Sequence, residues 1–148
     1  MQKLSPTFFQ IISTDYLAQN FLVLIFGGWV IYGIDAVFAG RTTFFLAIFA
    51  AILTPIGLLT FFWRYRLITS TFINGIETTG QITKISLIEK DQIIHYEYNF
   101  KGQNYQYHNR VKKNAYAQTL KQGQQVKLLA HEKTPHIAFI KNIYLEYK

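Results

Sequence analysis

Two long apolar runs occupy the first half of the chain. The first extends from about residue 17 to 39 and the second from about 43 to 63, and Asp35 is the only charged residue within them. With a rise of about 1.5 Å per residue, the runs reach roughly 35 and 31 Å, against a hydrocarbon core of about 30 Å. A cleaved signal peptide is the competing interpretation of the first run, but that run starts too late, is too long and is followed at once by the second. The pattern therefore predicts two transmembrane helices.

The connection between these runs is very short, since only Gly40, Arg41 and Thr42 separate them. The two helices must therefore be antiparallel neighbours. Small residues recur at three- and four-residue spacing on the second helix, and adjacent glycines lie on the first; within lipid, such residues let helix backbones approach closely. We expect the packing seam of the hairpin, or a contact with another subunit, at Gly27, Gly28, Ala47, Ala50, Thr54 and Gly57.

Asp35 is the candidate polar site within the membrane. A carboxylate at the centre of a bilayer costs about 2.5–3.5 kcal/mol on insertion scales, which favours a role in ion or proton handling. Asp35 also lies about one turn from the helix end and close to Arg41, so its side chain could reach the interface without any function. Both interpretations stay open.

The segment before the first span is amphipathic. Ser5 is a predicted N-cap and Pro6 the first helical residue, which is the position that proline favours. A short interfacial helix is expected here, and the alternative is an N-terminal extension of the first span.

The flanking charges predict the orientation of the hairpin. Two spans return the chain to its starting side, which carries Lys3, Arg64 and Arg66, whereas the other side carries Arg41. The positive-inside rule then places both termini in the cytoplasm.

From about residue 71 the hydrophobic pattern alternates with a period of two, which is typical of half-buried strands. Strands are predicted at 80–88, 94–100, 105–111, 126–131 and 137–140, with a further stretch at 143–147, polar turns at 89–92 and 101–103, and a short helix within 113–120. The predicted fold is a membrane α-helical hairpin, residues 1–70, followed by a small all-β domain, residues 71–148. The domain is expected to be an antiparallel five- to six-stranded barrel or rolled sheet.

The β domain resembles a known family. The runs that carry the resemblance are Tyr96–Tyr105, with its aromatic strand and Gly turn, then Gly123–Leu128, then Thr134-Pro135. They are similar to a widespread bacterial family of two-helix membrane proteins with a C-terminal β domain, catalogued only as a domain of unknown function. The resemblance implies architecture and membrane location but no activity.

Charge is concentrated in the second half of the chain. The net charge is +7, and from residue 73 onward eleven Lys and Arg stand against six Asp and Glu. Tyrosines interleaved with basic residues suit stacking of single-stranded nucleic acid, but the aromatic face must also form the core, and attraction to anionic headgroups explains the basic excess. We therefore favour membrane lipids over nucleic acid as partners. The candidate binding surface comprises Tyr105, Tyr107, Arg110, Lys112 and Lys113.

The sequence offers no pattern of catalysis or metal binding. Cysteine is absent, and the four histidines lack the short spacings of a zinc motif; His95 and His131 would meet only if their strands paired. No nucleophile has a histidine and carboxylate at recognisable spacing. We expect no enzyme, no metal and no cofactor.

Three classes of function remain for such a chain. The favoured one is an accessory or assembly protein whose hairpin docks on protein partners or on copies of itself, while a sheet edge of the β domain binds a partner. A second is an oligomeric transport or channel subunit, which would place Asp35 at a pore. The third is a membrane-tethered module that binds nucleic acid or anionic lipid.

Overall fold

The computed structural model describes residues 5–38 and 44–145, which form two compact units. One unit comprises Leu17–Tyr65. The other comprises the chain up to Tyr16 and again from Arg66 onward, so it holds the sheet together with short helical segments that the sequence analysis had assigned to the membrane half. The expected loop between the two spans lies outside the described residues.

Two helices are long and apolar enough to cross a membrane. They are α2 (Tyr16–Phe38), of 23 residues, and α3 (Phe44–Asn74), of 31 residues. The two long apolar helices expected from the sequence are thus present. α3 continues well past the predicted end of the second span at Trp63, because the segment after it keeps helix-compatible residues and buries Ile68 and Phe72 in the sheet-containing unit.

The N-terminal helix α1 (Phe8–Thr14) is separate from α2. Its N-cap is Thr7, whose hydroxyl accepts from the Gln10 amide while the Gln10 side chain accepts from the Thr7 amide. The predicted cap at Ser5 was wrong, because only Thr7 has a glutamine three residues later to complete a capping box. Asp15 ends α1 in an extended conformation, so α1 is not an extension of α2. An interfacial position for α1 stays a prediction.

The second half of the chain forms a barrel-like antiparallel sheet with two short helices. The elements are β1 (Ile76–Ile88), β2 (Asp91–Phe100), β3 (Gln103–Lys112), α4 (Ala115–Thr119), β4 (Gln125–Ala130), β5 (Ala138–Ile140) and α5 (Lys141–Leu145). The strand order is β3-β2-β1-β4-β5, with every pair antiparallel. The predicted five-stranded antiparallel domain is confirmed.

Two local predictions in this domain were wrong. The segment around Ile143 and Tyr144 is the helix α5 and not a strand. Both of these adjacent side chains are fully buried, and a helical turn at one end of the sheet can bury both, whereas successive residues of a strand point to opposite faces. Asp91 and Gln92, expected in a turn, are the first residues of β2, since the hairpin turn needs only Glu89 and Lys90.

The core lies on one face of the sheet. Ile94, Tyr96, Tyr98 and Phe100 alternate along β2 with exposed or half-buried residues, as predicted. Lys101 and Gly102, with φ of 51° and 84°, form the two-residue turn into β3 and so fix the register of that hairpin. The other strands and α5 supply the rest of the core, in particular Ile82, Leu128, Phe139, Ile140 and Tyr144.

Candidate functional site

The two apolar helices meet at glycines. A Cβ atom added to Gly28 would lie 3.0 Å from the Cα of Ala50, and one added to Gly57 would lie 2.7 Å from the Ile25 side chain and 3.1 Å from the Phe21 carbonyl oxygen. No larger residue fits at either position without a shift of the neighbouring helix. Of the residues named as the seam, the structure therefore brings Gly28, Ala50 and Gly57 into the contact between α2 and α3.

A hydrogen bond between side chains crosses the same hairpin. The Trp29 indole nitrogen donates to the Thr54 hydroxyl over 2.8 Å, and Thr54 in turn donates to the Ala50 carbonyl over 2.8 Å. Ala47 and Gly27 are half-buried, and only Val23 of the same helix lies within 4 Å of a Cβ added to Gly27. Sequence reasoning missed Trp29, although an indole N–H needs a partner wherever water is absent.

Asp35 is half-buried on α2, within the apolar unit. The loop containing Arg41, to which its proximity was predicted, lies outside the described residues. Asp35 therefore stays a candidate polar site.

A buried polar network lies inside the barrel-like sheet. The Tyr96 hydroxyl donates to the Ala138 carbonyl (2.6 Å) and approaches Oδ1 of Asn109 (3.0 Å), while Nδ2 of Asn109 donates to the same carbonyl (3.1 Å). The Ile140 amide completes it by donating to Oδ1 of Asn109 over 3.1 Å. A side chain of β3 thus pairs with the backbone of β5, and the two edge strands of the sheet are joined.

The tyrosines form a row beside this network. Tyr98 stacks on Tyr105 with 5.8 Å between ring centroids, and its hydroxyl donates to the Pro135 carbonyl. Burial, with smaller contributions from Tyr105 and Tyr107, raises the pKa of Tyr98 to about 12. Tyr98 is therefore a packing and hydrogen-bonding group at neutral pH.

The five residues of the candidate binding surface do not form one surface. Tyr105 and Tyr107 lie on the face of β3 that carries buried Asn109, whereas Arg110 and Lys112 alternate with them on the other face. The amine of Lys113 lies beyond the strand end and donates to the Glu89 carbonyl over 2.7 Å.

Arg110 connects the sheet with the chain segment that leads into α2. Its guanidinium lies 3.3 Å from a carboxylate oxygen of Asp91 and 3.5 Å from the centroid of the Tyr16 ring. Next to it, Asp15 bridges to Val111 at the outer edge of β3 and accepts a hydrogen bond of 2.8 Å from the Tyr144 hydroxyl. Sequence reasoning missed both acidic partners, because they lie far from their contacts along the chain.

The outer face of the sheet is polar. A groove of about 590 Å³ runs across β1, β2, β3 and β4, and its lining includes Gln81, Glu97, Asn104, Gln106 and Gln125. Near it, Glu77 lies 2.6 Å from the Lys141 amine and 3.5 Å from that of Lys127. The hydrogen bond from Lys141 and the charges of both lysines hold the pKa of Glu77 below its usual value.

The histidines do not gather at a metal site. His95 of β2 faces His108 of β3, with 5.3 Å between ring centroids, because the two-residue hairpin loop pairs these positions. His131, directly after β4, instead contacts the Thr134 hydroxyl through Nδ1 at 2.7 Å, and β1 lies between β4 and β2 in the sheet. Burial, then the charges of His108 and Lys84, lower the pKa of His95. Within residues 5–38 and 44–145, no three His, Cys, Asp or Glu side chains are placed to hold a metal ion together.

Comparison of the chain with protein-family models, with curated proteins and with solved structures gave no match. The resemblance to the uncharacterised two-helix family therefore stays a prediction.

Proposed function

We propose that this chain is a non-enzymatic integral membrane accessory or assembly protein of a bacterial inner membrane, with both termini in the cytoplasm. Its hairpin would lie in the bilayer, and its basic β domain would be presented to cytoplasmic or membrane partners. One observation carries the proposal: α2 and α3 direct large apolar side chains outward along their length, with only 11% and 17% of their most apolar windows buried within the chain.

Such an exterior suits lipid better than water. Phe26, Val37, Phe45 and Leu59 are each more than half exposed, with the two phenylalanines at 63% and 80%. Monomeric soluble proteins rarely expose contiguous apolar patches larger than a few hundred Å². The core helix of a soluble protein would bury these side chains against its own chain, whereas α2 and α3 leave them exposed and contact each other at Gly28 and Gly57.

The outer edge of β3 offers a place for an extended partner segment. β3 is an edge strand whose outer side is bridged at Val111 by Asp15, while the buried Asn109 side chain accepts a hydrogen bond from β5. Among the described residues, no further backbone hydrogen bond reaches the stretch Gln103–Tyr107 from outside the hairpin. An unpaired edge can accept another strand through its main-chain groups.

The hairpin geometry identifies the amides that such a partner would use. A two-residue turn makes Phe100 and Gln103 a hydrogen-bonded pair, and the pairs then alternate along β3. The N–H and C=O groups of Asn104 and Gln106 consequently point away from β2. Gln106→Pro would remove one outward amide donor, and prolines are tolerated at strand edges. Gln106→Ala is the matched control that keeps the amide.

The experiment is extraction of the full chain from its native membrane in mild detergent, followed by identification of stoichiometric co-purifying proteins. The proposal expects a partner that Gln106→Ala retains and Gln106→Pro loses. Purification of the wild-type chain without any stoichiometric partner would contradict the accessory role. A partner that both variants retain would show that the β3 edge is not the binding surface.

A further inference from the structure

The tip of the hairpin between β1 and β2 exposes two large apolar side chains beside charged ones. This tip, Leu87–Lys90, exposes 71% of Leu87 and 39% of Ile88. Leu87 is paired with Gln92 of β2. Gln92 is buried beneath α4, and its side-chain amide donates to the Ala117 carbonyl of that helix over 2.7 Å. The leucine therefore projects beyond the part of the face that α4 covers.

Basic side chains surround the tip. Lys90 belongs to it, Lys112 lies on the neighbouring strand at the position paired with Asp91, and Lys113 holds the Glu89 carbonyl. The carboxylate of Asp91 is engaged by Arg110, which leaves Glu89 as the acidic side chain within the tip.

A groove continues from the tip toward α4. It has a volume of about 480 Å³, and its lining includes the apolar residues Ile85, Leu87 and Leu120 and the basic residues Lys113 and Lys121. Apolar side chains ringed by lysines fit an anionic amphiphilic surface, because the lysine stems can bury while their charges meet phosphates.

Side-chain contacts within the sheet-containing unit also connect the tip with Tyr16. Asp91, one residue after the tip, binds Arg110, and Arg110 covers the ring of Tyr16. Tyr16 is followed directly by Leu17, the first residue of the apolar unit. A short chain of contacts thus links the tip to Tyr16, the last residue of this unit before the apolar segment.

We infer that the β1–β2 tip rests on an anionic bilayer surface, with Leu87 and Ile88 in the interface and the surrounding lysines at the lipid phosphates. This inference rests on the membrane insertion in the proposed function. A bilayer is favoured as the occupant because it is already present wherever α2 inserts, and because the charge of the tip complements anionic headgroups.

The test uses the full chain in vesicles of phosphatidylcholine, with or without phosphatidylglycerol. The chain has no cysteine, so single cysteines can carry an environment-sensitive fluorophore at chosen positions. Leu87→Cys probes the tip, and Gln103→Cys probes the β2–β3 hairpin at the opposite end of β2, roughly 30 Å away at about 3.3 Å per residue. Val30→Cys, on the exposed face of α2, reports insertion itself. The readout at positions 87 and 103 is quenching by a nitroxide attached near the headgroup end of the lipid chains, and at position 30 it is quenching by a nitroxide near the chain ends.

Quenching at position 87 should exceed that at position 103 several-fold in vesicles with phosphatidylglycerol. Lys113→Glu should lower it, whereas the matched reversal Lys133→Glu, in the distant β4–β5 loop, should leave it unchanged. Equal quenching at positions 87 and 103, with position 30 quenched, would overturn the inference and leave the proposed function standing. A blue-shifted but unquenched label at position 87 would indicate burial against protein and also overturn it. Absence of quenching at position 30 would refute membrane insertion, and both proposals with it.

Discussion

The Ile140 amide of β5 donates a hydrogen bond of 3.1 Å to the side-chain Oδ1 of Asn109 on β3. The two edge strands of the sheet are thus joined through an amide side chain, which also binds Tyr96 and the Ala138 carbonyl. All of these groups are buried, so one asparagine satisfies backbone groups of β5 at both Ala138 and Ile140.

Asn109→Ala should lower the free energy of unfolding of the β domain by about 2–3 kcal/mol, because it leaves the Ile140 amide buried without its acceptor. Denaturant unfolding of the solubilised full chain, followed by near-ultraviolet circular dichroism, measures this loss. Asn104→Ala is the control, since Asn104 is exposed and its side-chain oxygen accepts a hydrogen bond from Asn99 on the same hairpin. Equal losses for the two variants would contradict the role given to Asn109.

Gly57→Leu should destabilise the helical hairpin by about 1–3 kcal/mol, because a Cβ there already collides with Ile25 and overpacking forces the helices apart. Gly33→Leu is a matched control on α2, since no described atom lies within 4 Å of a Cβ at that position. Thermal unfolding of the solubilised chain compares the two. If Gly33→Leu proves as harmful as Gly57→Leu, the helices do not meet at the proposed seam.

Stability of the sheet should fall as the medium becomes acidic. The pKa of His95 lies below its ordinary value of 6.5, mainly through burial and then through His108 and Lys84. As the pH falls, the unfolded chain therefore protonates this histidine before the folded chain does. The stability present above about pH 6.5 is then lost as the pH falls through the lower pKa of the folded state.

His95→Gln should flatten this dependence, as measured by the melting temperature at several pH values between about 7.5 and 5. His136→Gln, at an exposed loop position, should retain the slope of the wild-type chain. A wild-type slope in His95→Gln would assign the acid sensitivity to other groups.

Tyr98 should ionise at a higher pH than an ordinary tyrosine, since burial raises its pKa to about 12. Absorbance titration of the phenolate should show a late component near that pH, and Tyr98→Phe should remove it. Because the unfolded chain loses the phenolic proton at a lower pH, the domain should lose stability as the pH rises above about 10 toward that value. If the late component persists in Tyr98→Phe, it belongs to another tyrosine.

The alternation of apolar residues and the position of a turn glycine were enough to predict the elements whose structure depends on neighbouring residues. Alternation in Tyr96, Tyr98 and Phe100 predicted β2, and Gly102 predicted the turn after it. A two-residue turn also fixes the register, so the facing of His95 and His108 was available from the sequence once the loop length was known. The same counting separates Tyr105 from Arg110 on opposite faces of β3.

Contacts between segments that are far apart along the chain could not be predicted from such local patterns. Asp15 and Tyr144 are 129 residues apart, and no periodicity relates the end of a short N-terminal helix to the last helix of the domain. The turn of α5 was misjudged because Ile143 and Tyr144 have strand-like composition, and only the burial of both side chains at one end of the sheet favours a helix. Asn109 likewise has no local signal for its role between the edge strands.

The central claim is that α2 and α3 form a hairpin in a bilayer with the β domain on the cytoplasmic side. Its most direct test is the labelling of single cysteines at position 41, between the apolar runs, and at position 103, in the β2–β3 turn, by a membrane-impermeant maleimide in bacterial host cells. We predict that position 41 is labelled in intact spheroplasts, and that position 103 is labelled only after the spheroplasts are lysed. Labelling of position 103 but not position 41 in intact cells, or recovery of the chain in the soluble fraction, would contradict the account.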